Sequence, residues 1–294
     1  MIKVLIYMFF GILLLSGCRG SVAPEELLAY SHLTGGFWQI WIADLDGKNP
    51  KPVTTSRFDK RHPIWLDAGK KIVYRSNNGE LYTLDLESEK EERILEKFGQ
   101  VTDPDWSAAV GLLAFTRFSP NLTDESEIWT IRLDGTRQRV MTTLPGMQYH
   151  PAFSPDGQKI AYVSGKGYGT HEIWIMDKDG QNQKRLTQNQ GGYDILPRWS
   201  LDGERIAFAS DKASNIDIWV MNADGTNKKK LTDYEGLDTQ PVWSSDGKNI
   251  LFVSNRSGEL QIWMVDYITS QVHQITYGPD ESNDPACVRL EPNE

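Results

Sequence analysis

Six prolines divide this chain at near-equal intervals: Pro63, Pro104, Pro151, Pro197, Pro241 and Pro285 stand 41 to 47 residues apart. Each opens a related segment. The clearest copies read P-A-F-S-P-D-G-Q-K-I-A-Y-V-S from Pro151, P-R-W-S-L-D-G-E-R-I-A-F-A-S from Pro197 and P-V-W-S-S-D-G-K-N-I-L-F-V-S from Pro241. A unit of this length, filled with short β-prone runs, cannot bury its apolar surface alone and must pack against its neighbours. That period is the signature of propeller blades.

Within each unit four short strands are legible. Strand A carries an aromatic two positions after the proline, at Trp65, Trp106, Phe153, Trp199 and Trp243. An Asp-Gly pair follows in three copies, suited to the positive φ of a tight hairpin. Strand B is an apolar run such as Ile160 to Ser164, strand C carries Ile-Trp as at Ile173-Trp174, and strand D ends on Leu-Thr as at Leu186-Thr187. Val, Ile and aromatic residues in alternation between Gly, Asp and Pro are strand signals. The regular tryptophans read as packing between blades. Residues before Pro63 supply strands B, C and D without an A, and Pro285 starts an A without followers. The expectation is an all-β, six-bladed β-propeller of four-stranded antiparallel blades over residues 27–290, closed by the C-terminal strand A pairing with the N-terminal strands B–D.

The first residues have a different character. Lys3 precedes the apolar run Val4 to Leu15, and Leu15-Ser16-Gly17-Cys18 follows. This is the pattern of a secretory leader, ending in a lipobox-like motif. Residues 1–18 are expected to be a lipoprotein signal peptide with lipid attached at Cys18. Residues 19–26 would be a tether and 291–294 a tail. Arg19 after the cysteine favours the outer membrane, so the expected location is the periplasmic side of a bacterial envelope, held by a lipid anchor only. Cys287 is then the one other cysteine, at a strand-A aromatic position where a small buried thiol fits. With 40 acidic against 31 basic residues and no basic stripe, nucleic acid is not an expected partner. No G-x-S-x-G elbow occurs, and none of the five histidines lies in a motif with a nucleophile, so the chain is expected not to be an enzyme.

A ligand would meet the axis where strand A begins. The residue before each proline is His62, Asp103, His150, Leu196, Gln240 or Asp284. Together with Arg61 and Tyr149, the polar members of this set are the candidate partner-binding residues at the channel mouth. Acids predominate in the segments leading to the prolines (Asp59, Asp103, Asp194, Asp238, Glu281, Asp284), which predicts a funnel of negative potential. Cofactors are not required by this reading. A divalent metal is the alternative, since His62 and His150 flank Asp103 on consecutive units and imidazole suits a transition metal. The longer B-to-C connections, Phe118 to Glu127 and Gly165 to His171, would frame the same face.

The motif P-x-[WF]-S-x-D-G-x-x-I-[AL]-[FY]-x-S, followed by I-W, D-G and L-T, resembles the repeat of the TolB propeller family over residues 27 to 290. The likeness is to the propeller domain without that family's N-terminal domain. It implies binding of envelope proteins or peptides, such as a peptidoglycan-associated lipoprotein in a Tol–Pal-like role. A related architecture is similar to oligogalacturonate lyases, which hold a metal with histidines and a glutamine. By that resemblance His62, His150 and Gln240 would be the ligands of a metal-dependent polysaccharide lyase or a saccharide-binding propeller. Fold alone does not choose between these.

Overall fold

The computed structural model describes residues 26–98, 101–119, 125–165 and 170–290. Almost all regular structure there is β, with two single-turn 3-10 segments, Asp67–Gly69 and Glu96–Phe98. The leader, Cys18, most of the tether, the tail 291–294 and parts of the two long B-to-C connections lie outside the described residues.

The chain is organised in modules, each taken here by its leading proline. The Pro197 module is representative: Asp194–Trp199, Arg205–Ser210, Asp217–Asn222 and Lys229–Lys230 pair in sequence order as one antiparallel sheet. The Pro63 and Pro241 modules do the same, and a fourth such sheet has Ser282–Arg289 beside Glu26–Thr34, with Leu28 opposite Cys287.

The expected six separate four-stranded blades are corrected at the Pro104 and Pro151 modules. The described residues form four four-stranded sheets and one eight-stranded sheet. The join is a parallel bridge between Ser126 and Met147. Its cause is a pair of bonds between the two modules: Gln148 N–H donates to Ser126 Oγ at 3.1 Å, and that hydroxyl donates to Gln148 O at 2.9 Å. Strand C of one module thus accepts strand A of the next as a neighbour.

Two recurrent residues explain themselves. The threonine ending strand D takes the N–H of strand C's isoleucine: Ile40 to Thr54, Ile128 to Thr142, Ile173 to Thr187, Ile218 to Thr232 and Ile262 to Thr276, at 2.8–3.0 Å. A side chain there completes the ladder, so strand D can be two or three residues long in these sheets. In the A-to-B turns, the hydroxyls of Ser154, Ser200 and Ser244 donate to Asp156, Asp202 and Asp246, and accept the N–H of Lys159, Arg205 and Asn249.

The core lies between sheets. Ala207, Ile218, Val220 and Leu231 of one module pack on Trp243, Ile250 and Phe252 of the next. Strand-A tryptophans also bond across modules: Trp65 Nε1 donates to Ala286 O at 3.0 Å and Trp199 Nε1 to Ala152 O at 3.1 Å.

Candidate functional site at the channel mouth

A proline inside a strand has no N–H for the ladder, and its ring keeps the preceding residue out of the right-handed helical region. The chain answers with a bulge. The register breaks between Arg61 and Ile64, Thr102 and Asp105, Tyr149 and Ala152, Ile195 and Arg198, and Thr239 and Val242. A sixth break lies opposite Asn283 and Ala286. At every break the residue before proline is left-handed, with φ of 55° at His62, 50° at Asp103, 50° at His150, 57° at Leu196, 52° at Gln240 and 54° at Asp284. Such a bulge re-aims a side chain. Each non-glycine left-handed residue costs roughly 1–3 kcal/mol, so its presence in every module marks it as part of the repeat architecture.

All six residues line one cavity of about 260 Å³. Asp284 is its best-connected member. Arg61 Nε donates to Oδ2 at 3.0 Å, Gln240 Nε2 donates to Oδ1 at 3.0 Å, and His62 Nε2 lies 3.5 Å from Oδ1. Burial pushes this carboxyl up, but His62 and Arg61 outweigh it and bring its pKa down to about 2. Across the cavity, Thr116 and Thr102 hydroxyls donate to Asp103 Oδ2 at 2.8 and 3.1 Å, and His150 Nε2 lies 3.6 Å from Oδ1. Burial lowers the His150 pKa to about 4 against the pull of Asp103, which leaves the imidazole neutral at pH 7.

Two expected residues stand behind the cavity wall. Arg61 stacks on Trp38 at 4.2 Å while it bonds Asp284. The Tyr149 hydroxyl is 2.7 Å from His171 Nδ1, and its ring meets His150 edge-on at 4.6 Å. Both position their neighbours. Three groups are absent from the sequence expectation. Arg198 and Asp105 follow their prolines and line the cavity, and Asp105 Oδ2 accepts the Phe153 N–H at 2.7 Å. Burial raises the Asp105 pKa, opposed by Arg198. Arg75 on strand B lies near both Asp103 and Asp284, its pKa lowered by burial and raised by those carboxylates. Reading the residue after each proline as well as before it finds the first two; nothing in the sequence marks Arg75.

The donor set does not fit the divalent metal of the alternative reading. Both amide atoms of Gln240 are engaged by Asp284, and the two imidazoles face different carboxylates. Among the described residues no group of three or more His, Cys, Asp or Glu is placed to hold a metal ion. Burial raises the Cys287 thiol pKa, so the thiolate is not formed at neutral pH.

Fold and mouth together define a β-propeller with a polar axial cavity. A family model described as the TolB beta propeller domain matches residues 29–196 and 187–291, and the chain belongs to that family. It is 32% identical over 181 residues to an uncharacterized protein of Agrobacterium fabrum, covering 58% of this chain and 60% of that one. It is 30% identical over 166 residues to a TolB homolog of Chlorobium luteolum, covering 56% of this chain and 36% of that one. Its matches therefore span less than two thirds of these curated relatives. The crystal structure of TolB from Acinetobacter baumannii superposes with a TM-score of 0.77 at 23% identity, over 89% of this chain and 66% of that one. At that identity the likeness concerns the fold.

Proposed function

We propose that this TolB-like propeller is a non-enzymatic binding module of the bacterial envelope, and that its channel mouth receives a protein or peptide partner. The observation that carries the reading is the convergence of His62, Asp103, His150, Gln240 and Asp284 on one 260 Å³ cavity. These groups are held by bonds to each other, so little reorganisation accompanies docking. Asp103 and Asp284 beside Arg198 and Arg75 give the mouth both acceptors and donors, which suits a partner segment bearing polar or charged groups. In this reading Cys18 carries the lipid, and the partner is another envelope component, a peptidoglycan-associated lipoprotein being one of the type.

Capture from envelope extract by the full chain tests it, with a His62→Ala, Asp103→Asn, Gln240→Ala variant as comparison. Loss of the captured partner with folding intact by circular dichroism is the expected result. Retention of every partner by the variant removes the mouth from consideration.

A further inference from the structure

The other face of the propeller carries a feature that partner binding does not use. The A-to-B and C-to-D turns all emerge there, and so does the start of the first strand: Glu26 pairs with Arg289 and Leu27 with Asp44, at the end of the strand away from the Gly35-Gly36 turn. The Glu26 carboxyl lies beside the Ser245-Asp246 turn, its pKa raised by burial and by Asp246, and lowered by the Ser245 backbone. From that turn a contiguous path leads outward. Tyr267 N–H donates to Lys248 O at 2.8 Å, and Ile268 beside it is 76% exposed. The Tyr267 ring has Arg205 at 5.2 Å and Lys229 at 5.6 Å. Leu201, 57% exposed, stands on the A-to-B turn that leads into Arg205. An apolar tip beside a tyrosine between two cations is the composition that settles at a membrane–water interface.

Charge on this face supports the same surface. The turn aspartates Asp46, Asp134, Asp156, Asp202, Asp224 and Asp246 each accept a backbone N–H two residues on. These aspartates remain exposed and offset part of the charge of the lysines around them. Lys48, Lys70, Lys184, Lys229 and Lys248 are exposed on the same face. Some, such as Lys48 beside Asp46, have exposed ion pairs, which are weak and readily exchanged. The opposite face carries the exposed acids Asp233, Glu235, Glu259 and Asp280, so the molecule is electrically polar along its axis although its net charge is −9.

We infer that the turn face, centred on Tyr267 and Ile268, lies against an anionic lipid surface and leaves the channel mouth pointing away from it. The apolar run Val4 to Leu15 precedes Glu26 in the sequence, and residues 19–25 between Cys18 and Glu26 span less than about 30 Å even when fully extended. A chain held at either place keeps Glu26, and with it the turn face, within that reach of the bilayer. Phosphodiester head groups match the lysines and neither contact involves the channel, so this inference rests on the membrane anchor of the proposed function but not on the channel partner.

Lysine acetylation followed by mass spectrometry tests it on the full chain reconstituted into vesicles of equal parts phosphatidylcholine and phosphatidylglycerol. Lys229 and Lys248 should be protected at least about threefold relative to detergent solution. Lys212, exposed on the B-to-C side, should be modified equally in both. An Ile268→Glu, Lys229→Glu variant should lose the protection of Lys248 while still capturing the channel partner. Equal modification of Lys248 with and without vesicles, or protection of Lys212 instead, overturns the orientation. Equal protection by pure phosphatidylcholine vesicles overturns the requirement for anionic lipid.

Discussion

Gln240 and Asp284 hold each other by two hydrogen bonds of opposite sense. Gln240 Nε2 donates to Asp284 Oδ1 at 3.0 Å, and the Asp284 backbone N–H donates to Gln240 Oε1 at 2.8 Å. They come from adjacent modules and are both left-handed bulge residues. The pair therefore ties two strained positions together at the axis, and with Arg61 and His62 it joins three modules through one carboxylate.

Asp284→Asn leaves that geometry in place but removes the charge facing Arg61. The Asp284 side chain is 2% exposed, so the Arg61 guanidinium would lose its buried counter-charge. The variant should lose roughly 2–4 kcal/mol of stability in urea unfolding. An unchanged midpoint would mean the network is dispensable to the fold.

Acid should weaken the protein in two separate windows. His150, with its pKa lowered from 6.5 to about 4, binds a proton in the unfolded chain before the folded one does. Stability thus falls as pH drops from about 6.5 to 4, by on the order of 3 kcal/mol. Asp284, lowered from 3.8 to about 2, contributes stability above pH 4 that disappears as pH falls through 2. His150→Gln should flatten the first limb of a pH–stability profile and leave the second. A profile unchanged by that substitution contradicts the assignment.

Lys60 is fully buried, with Nζ over the Phe58 ring at 4.1 Å, near Glu91 at 3.7 Å and bonded to Ser56. Burial lowers its pKa against the pull of Glu91. Glu91 is one-third exposed and can be hydrated without it. Lys60→Met keeps the aliphatic volume and should be neutral or stabilising by up to about 2 kcal/mol, whereas Lys60→Ala should cost roughly 2–4 kcal/mol. Thermal midpoints of the two variants give the comparison; equal loss in both would show that the charge itself is needed.

Gly47 and Gly135 occupy equivalent Asp-Gly turns with the same φ of +81°, but a Cβ on Gly47 would lie 2.1 Å from Ile275 O while one on Gly135 meets nothing within 4 Å. Gly135→Ala should therefore cost only the backbone term, about 1 kcal/mol. Gly47→Ala should cost at least about 2 kcal/mol more, since it pushes adjacent modules apart. Similar denaturation midpoints for the two would refute this close approach.

The prolines make much of the site readable without coordinates. A proline in a strand cannot complete the ladder, so the residue before it must leave the pleat, and His62, Asp103, His150, Gln240 and Asp284 all line the cavity. Their pairing is not readable. Gln240 meets Asp284 and Arg61 meets Asp284 across 44 and 223 residues, and no local pattern encodes such contacts. Arg75 is silent for the same reason: it occupies an ordinary strand-B position opposite Arg61.

Local chemistry, repeated at a regular interval, settles the strand order, the turn residues and which side chains reach the axis, because each follows from contacts made within a single module. How modules join is a longer-range matter. Ser126 bonds Gln148 and merges two of them into an eight-stranded sheet, and the charges at the mouth choose partners only once the ring has brought them within 3–4 Å. Those choices depend on distances between separate strands, which only the folded chain defines.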